Sequence, residues 1–397
     1  MQISTTTKPS IYLYGYYGVS NVGDDLLMKS VLDFINNKVE IEDYYVRCAG
    51  DGAVVSPNCS SAVIRCEDYT GGSVGMLKKT VALFRFIFKN YAILKKVNAF
   101  VLGGGTVISN YRSNTSLILL SILVTLARLH GVKVFGLGLG VANLESRFSR
   151  AVARYIINNM VTFCARDVES FSVCKQITPK ANVLHTADLV YTERNLIALS
   201  VKKHNNGPGF KTAGITLVEP FLISSKHQFV RTTVLTAFSN FIEQWVASGN
   251  KVKLLCFQNH VLAGGQKLSD SNLFEELNNI CTPLKLEIVD MNSDIDSIGR
   301  CYSELDIVIG MRFHSLVLAS MSKTPFVGLS CDKKISTLCD TYKMPCTTLE
   351  AVTDDWIESS IKRAIEIGVT QSITDKLILK SIKNFDDVIT YLKAEDN

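Results

Sequence analysis

Several features are missing from this 397-residue chain, and each absence removes a class of protein. No long hydrophobic run occurs: the longest uncharged apolar stretch, Leu117 to Ala127, is too short to span a bilayer and reads as a buried crossover helix. No signal peptide is expected, because Met1 to Ser10 is polar and Ile11 opens a short strand rather than an apolar leader. Charge of one sign is scarce as well. A net charge of +5, with neither zinc-finger spacing nor a dense basic arm, gives no footprint for nucleic acid. Internal repeats and low-complexity tracts are absent. No Gly-Lys-Ser/Thr follows a glycine-rich turn, which argues against a nucleoside-triphosphate loop. Gly136-Leu137-Gly138-Leu139-Gly140 lacks the dinucleotide spacing, and no suitable acid follows about 20 residues later, so NAD is discounted. The eleven cysteines are odd in number, and several, such as Cys164, Cys256 and Cys301, sit in apolar runs; they read as reduced residues of a cytoplasmic protein.

What is present is an ordinary globular composition, 47% hydrophobic and 20% charged, in a chain longer than one core usually organises. Short apolar runs alternate with longer helical patterns, the signature of parallel sheets built from βαβ units. Strands are expected at Ile11–Gly15, Asp43–Cys48, Ala99–Leu102, Val132–Gly136, Val161–Cys164 and Asn182–His185. A second series is expected at Ala213–Val218, Val252–Phe257, Leu286–Val289, Leu305–Ile309 and Phe326–Leu329. The polar stretch Lys202 to Gly209 reads as a linker. The fold class is therefore α/β, with two doubly wound Rossmann-like domains facing a cleft. An N-terminal domain is expected over 1–203, a C-terminal domain over 210–370, and a helical tail over 371–397 that could cross back to the first domain. The segment Gly50 to Gly75 reads as a loop over the cleft mouth, a disordered stretch or an irregular subdomain.

The richest local pattern is Ile309-Gly310-Met311-Arg312-Phe313-His314-Ser315, where a buried strand gives way to a helix expected over Ser315–Met321. A helix N-terminus attracts anions, Arg312 adds a planar donor fork, and His314 adds a side chain that titrates near neutrality. A helix cap beside a surface histidine is the plainer alternative. Gly15 to Asp25 follows the first strand; Asn21 and Asp24 either contact a ligand, or Asp24 caps the helix and Asn21 takes a positive-φ turn. Gly103-Gly104-Gly105-Thr106 allows close backbone approach or tight packing. Arg166 is a second cation aimed at an anion, with Asp167 as a ligand neighbour or a cap. Asp294-Ile295-Asp296 has the form of a metal-binding pair, yet its place at a helix start favours capping, and no metal site is expected. Lys78, Arg85, Lys89 and Lys96 share one face of a helix expected over Leu77–Lys95, opposite Phe84, Phe88 and Tyr91 or beside them. That face either rests on anionic lipid or is a solvated crossover helix.

Taken in order, Gly15 to Gly18, Asn21 to Asp25, Gly103 to Gly105, Ala165-Arg166-Asp167 with Glu169-Ser170, Ala187-Asp188, Gly214-Ile215, Gly310 to His314 and Pro325 to Lys334 resemble the polysaccharide pyruvyl transferases. The resemblance runs from about residue 11 to 345, and its order is more specific than any single motif. It implies a fold like the GT-B glycosyltransferases, no cofactor, phosphoenolpyruvate as co-substrate, and a sugar of a surface polysaccharide as acceptor, lipid- or nucleotide-linked. The product is a pyruvate ketal. Arg312 would hold the donor anion, with Phe313, Arg166, Ser315 and Lys334 around it, and His314 would be the acid and base; Asn21, Asp24, Gly103, Gly104 and Gly105 fall on the acceptor side. Ala187-Asp188-Leu189-Val190 and Cys331 depart from the family's usual Ala-Asp-Pro-Ala and aromatic residue. The expected location is cytoplasmic, on the cysteines; the basic stripe, on its lipid reading, would add peripheral contact with the inner membrane face. Two other readings stand beside it: a nucleotide-sugar glycosyltransferase of envelope polysaccharide synthesis, and a non-catalytic scaffold with a decayed site.

Overall fold

The computed structural model describes residues 8–18, 21–48, 62–67, 76–110, 114–142, 144–193, 211–218, 228–261, 267–282, 284, 286–291 and 295–395. Its contacts divide the chain into two compact units, Met1–Val19 with Asp24–Thr192 and Leu377–Asn397, and Ser20–Gly23 with Glu193–Lys376. The expected linker, Lys202 to Gly209, lies outside the described residues.

The first unit alternates β1 (Ile11–Tyr17), α1 (Val22–Asn36), β2 (Asp43–Cys48), β3 (Ala62–Glu67), α2 (Met76–Leu94), β4 (Ala99–Ser109), α3 (Thr115–Leu129), β5 (Lys133–Ala142), α4 (Arg147–Asn158), β6 (Thr162–Ala165), α5 (Val168–Ile177) and β7 (Val183–His185). All seven strands are parallel, in the order β3-β2-β1-β4-β5-β6-β7. Central strands buried on both faces read as continuous apolar runs, and Ile11, Leu13, Phe100, Val101 and Leu102 are fully buried. The order reverses between β1 and β4, so the carboxyl ends of those two strands form the crevice where doubly wound sheets bind ligands. One strand, β3, lies inside the segment read from sequence as a loop; the rest of Gly50 to Gly75 falls outside the described residues.

The second unit contains β8 (Thr212–Thr216), α6 (Gln228–Ala247), β9 (Lys251–Cys256), the hairpin β10 (Asn259–Val261) and β11 (Lys267–Ser269), α7 (Asp270–Ile280), β12 (Glu287–Asp290), α8 (Ile295–Ser303), β13 (Ile307–Gly310), α9 (Phe313–Met321), β14 (Phe326–Ser330), α10 (Lys333–Tyr342), β15 (Cys346–Thr348) and α11 (Asp354–Ile367). Its parallel sheet runs β12-β9-β8-β13-β14-β15 and reverses between β8 and β13. The helix after β13 begins at Phe313, two residues before the expected start, which places His314 in its first turn.

Two helices close the chain, α12 (Gln371–Ile382) and α13 (Asp386–Glu395), and residues from Leu377 onward count with the first unit. The docking has a clear cause. Gly138, at φ +58°, sits where β5 loses register with β6, which leaves its amide without a ladder partner. Asn384 supplies one: its Oδ1 accepts from Gly138 N (2.8 Å) and Thr186 Oγ1 (2.8 Å), and its Nδ2 donates to the Ala187 carbonyl (3.0 Å). Burial of an unpaired amide would be costly, so this buried asparagine fixes the tail. Phe385 stacks on Phe34 at 4.2 Å, while Val388 and Leu392 are fully buried. Gly138 thus serves a bulge that holds the tail. Among the described residues, no helix is long and apolar enough to cross a membrane.

Candidate active site

At the switch point of the second sheet, β13 ends in Gly310, where a Cβ would lie 2.3 Å from Thr216 Oγ1. Met311 N still donates to the Thr216 carbonyl (2.8 Å), and Arg312 then turns extended as the N-cap of α9. Its side chain does not cap the helix. Instead Nη2 donates to Gln258 Oε1 (3.0 Å) and forms an ion pair with Asp270 Oδ1. Asp270 opens α7, is fully buried, and accepts through Oδ2 from the amides of Phe257 (3.2 Å) and Gln258 (3.1 Å). Burial pushes its carboxyl up, opposed by the Arg312 guanidinium and those two amides. Two faces of the site are thereby tied to one carboxylate. The Arg312 Nε is buried and has no hydrogen-bond partner among the described residues.

His314 follows on the first turn of α9, edge-on to Phe313 with ring centroids 5.3 Å apart. Asn21–Gly23, which count with this unit, pack beside it: Val22 N donates to the Phe257 carbonyl (3.0 Å), and Asn21 bridges to Gln258. A Cβ on Gly23 would stand 2.0 Å from His314 Nδ1, so only glycine leaves room for the imidazole. Lys334, on the first turn of α10, pairs with Asp332 (3.2 Å) and holds its Nζ 5.9 Å from the centre of the Phe313 ring. Burial pushes the Cys331 thiol, close to the Met311 carbonyl (3.5 Å), up to about 11, which keeps it un-ionised.

The first unit's switch point is furnished with backbone and carboxylates. Gly104 and Gly105 adopt φ +74° and +76° in succession, which bends β4 where its register with β5 shifts. Beside them Tyr17 donates its hydroxyl to the Gly103 carbonyl, and a Cβ on Gly105 would lie 3.8 Å from Asp24 Oδ1. Asp25 Oδ1 accepts from Gly18 N (2.9 Å), and burial, helped by Asp24, pushes its carboxyl up to about 6. Arg166 reaches Asp188 Oδ2 (3.0 Å) and Thr106 Oγ1 (3.1 Å), with both charges of the pair almost fully buried.

A model of the family described as polysaccharide pyruvyl transferase matches residues 21–333. The chain belongs to that family. No curated protein sequence matches it. The pyruvyl transferase chain also resembles solved structures. The UDP-GlcNAc 2-epimerase of Methanocaldococcus jannaschii in complex with UDP-GlcNAc and UDP has a TM-score of 0.59 at 10% identity, covering 97% of this chain and 100% of that one. A putative UDP-N-acetylglucosamine 2-epimerase from Listeria monocytogenes gives 0.58 at 10% identity over 94% and 91%. The Neisseria meningitidis enzyme bound to UDP-GlcNAc gives 0.57 at 10% identity over 97% and 99%. At such identities the likeness concerns the fold alone, which is of the GT-B kind.

In this pyruvyl transferase, Arg312, Phe313, His314, Lys334 and Asn21 come together in the second unit, whereas Asp24, Gly103, Gly104, Gly105 and Arg166 gather in the first. Three expectations change. Ser315 is fully buried, its hydroxyl 3.0 Å from Tyr302 Oη and 3.4 Å from Thr216 Oγ1, so it faces the core and offers a ligand no more than its amide. Asn21 takes no positive φ; its Oδ1 accepts from Gly23 N (3.2 Å) and caps α1. Arg166, read as a partner of Arg312 on one anion, already spends two nitrogens on Asp188 and Thr106. An incoming anion would have to share it. Asp167 caps α5 through Ser170 N (2.7 Å); Asp296 lies in the first turn of α8, and Asp294 falls outside the described residues. The sequence assigns no role to Asp270 or Gln258, and Asp25 enters only as part of the Asn21 to Asp25 motif. Nothing local announces the first two, whose role arises only through contact with Arg312.

Proposed function

We propose that this family member transfers the enolpyruvyl group of phosphoenolpyruvate to two hydroxyls of a sugar in a surface polysaccharide or its lipid-linked precursor. What carries the reading is the guanidinium of Arg312, oriented by Asp270 and Gln258 and set two residues from His314 at the switch point of the second sheet. Asp270 neutralises part of the guanidinium charge. Donor binding therefore relies on the remaining fork of N–H groups, the amides at the start of α9 and the ammonium of Lys334. In the first step protonated His314 gives its proton to the methylene carbon, which becomes a methyl group and leaves C2 electrophilic. A sugar hydroxyl adds to C2 and returns its proton to the imidazole. The C2–O bond to phosphate then breaks, phosphate leaves with the bonding electrons, and a second hydroxyl closes the ketal as its proton passes to the departing phosphate. Asp24, Gly103, Gly104 and Gly105 present acceptors and close backbone suited to sugar hydroxyls.

Incubation with phosphoenolpyruvate and a lipid-linked oligosaccharide extract in D2O is expected to release phosphate and give a ketal methyl group carrying one deuterium. Release of a nucleotide from a nucleotide sugar, with no phosphate from phosphoenolpyruvate, would replace this reading with glycosyl transfer. Turnover of neither would favour a scaffold.

A further inference from the structure

Helix α2 has two apolar faces, and the fold uses one of them. Phe86 and Leu94 are buried; Asn90, buried with them, donates to the Phe86 carbonyl (2.8 Å) and accepts from Tyr12 Oη (2.5 Å). On the other face Val81, Phe84, Phe88 and Tyr91, spaced as i, i+3, i+7 and i+10, are 62%, 58%, 70% and 37% exposed. A crossover helix that merely meets water carries polar residues there. Beside this stripe, at most about 140° around the helix from Phe84, run Arg85, Lys89 and Lys96, all exposed, and Lys95 stands over the Tyr91 ring at 4.8 Å. From Met76 to Lys96 there are six Lys or Arg and no acidic residue. The side chain of Lys78 lies outside the described set.

We propose that this face of α2 is a docking surface for a bilayer containing anionic lipid, with Val81, Phe84 and Phe88 entering the headgroup boundary and Arg85, Lys89 and Lys96 meeting lipid phosphates. The charge selects this occupant over a second copy of the chain. An isologous contact would bring the cations of one copy against those of the other, with no acid on the helix to compensate. The inference stands apart from the donor chemistry, because binding is measured without turnover; a lipid-linked acceptor would give the surface its use.

The test is co-sedimentation of the full chain with vesicles of phosphatidylcholine alone or mixed with phosphatidylglycerol. The parent protein is expected to pellet with the anionic vesicles at low salt and to be released as salt rises. Replacement of Arg85, Lys89 and Lys96 by Gln together should weaken partitioning by about a hundredfold. Phe84→Ser with Phe88→Ser should weaken it by at least about tenfold, with an unchanged melting temperature, since both side chains are exposed. Phe88→Trp provides a separate reading that does not depend on a disruptive variant: the introduced indole should be quenched by brominated acyl chains, above a constant background from Trp245 and Trp356. Absence of vesicle binding at low salt, binding that ignores both sets of changes, or an unquenched indole would overturn the proposal. So would dimers in sedimentation velocity that the Phe changes dissolve while vesicle binding persists.

Discussion

The two sheets reverse direction in the same way yet furnish their switch points with opposite chemistry. In the first unit the crevice between β1 and β4 is lined by Asp24, Asp25 and the left-handed glycines Gly104 and Gly105, while the nearby cations are already engaged: Arg47 reaches the Gly15 carbonyl (3.4 Å) over the Tyr14 ring, and Arg166, after β6, is tied down by Asp188 and Thr106. In the second unit the crevice between β8 and β13 carries Arg312, His314 and Lys334 on or beside the starts of helices. On the function proposed above, hydroxyls go to the former and an anion to the latter. One topology thus delivers two addresses, and the residues at the strand ends decide what each receives.

Each unit also buries an Arg–Asp pair, and removal of the acid is the most damaging way to probe them. Asp188→Ala and Asp270→Ala each leave a guanidinium without its carboxylate in an almost waterless setting, and each is expected to cost about 3 kcal/mol or more. Urea denaturation followed by circular dichroism should show a lower midpoint for both. An unchanged midpoint for either would mean that water replaces the lost partner there.

His314→Gln separates chemistry from binding. Turnover should fall by about a hundredfold or more, the scale of a lost general acid and base, while donor affinity by calorimetry stays within about tenfold. Parallel loss of both would make His314 a binding residue. Arg312→Lys should reduce kcat/KM by at least about tenfold, roughly 1.4 kcal/mol, because a point ammonium cannot satisfy Asp270, Gln258 and a ligand at once. If Arg166→Lys proved the more harmful of the two, the assignment of donor and acceptor sides would be reversed.

Much of this was legible in the chain because apolar runs set the strands: β2 falls on its expected residues, and most other strands lie within a few residues of theirs. Glycine misled in a consistent way. Gly103 to Gly105 and Gly136 to Gly140 read as strand ends, yet β4 continues to Ser109 and β5 to Ala142, since pairing across Gly105–Leu139 and Ile108–Val141 absorbs the turns as a bulge. The short strand β3 was hidden in a segment without clear periodicity. At the site, Arg312, His314 and Gly23 were visible as motif residues. Asp270 was not, because it lies 42 residues from Arg312 and meets it only after β9 and β13 flank β8 in one sheet. Pairing across a sheet order is a property that no local window contains.

The smallest expected effect, and the sharpest contrast with the cationic crevice, belongs to Asp25. Its carboxyl is pushed from an ordinary 3.8 up to about 6, first by burial and then by Asp24, even though the Gly18 amide favours the ionised form. A carboxyl that holds its proton more tightly when folded stabilises the fold most at low pH, and that contribution is lost as pH rises through about 4 to 6. Asp25→Asn keeps an oxygen for Gly18 N and removes the charge. The variant should therefore match the parent near pH 4 and exceed it at pH 7 by about 1–2 kcal/mol, less than the full shift implies because the group keeps some water. Thermal melts across that range would show the parent's midpoint declining relative to the variant's. A gap of the same size at both ends would mean that the carboxyl is already ionised throughout, with the Gly18 amide outweighing the burial.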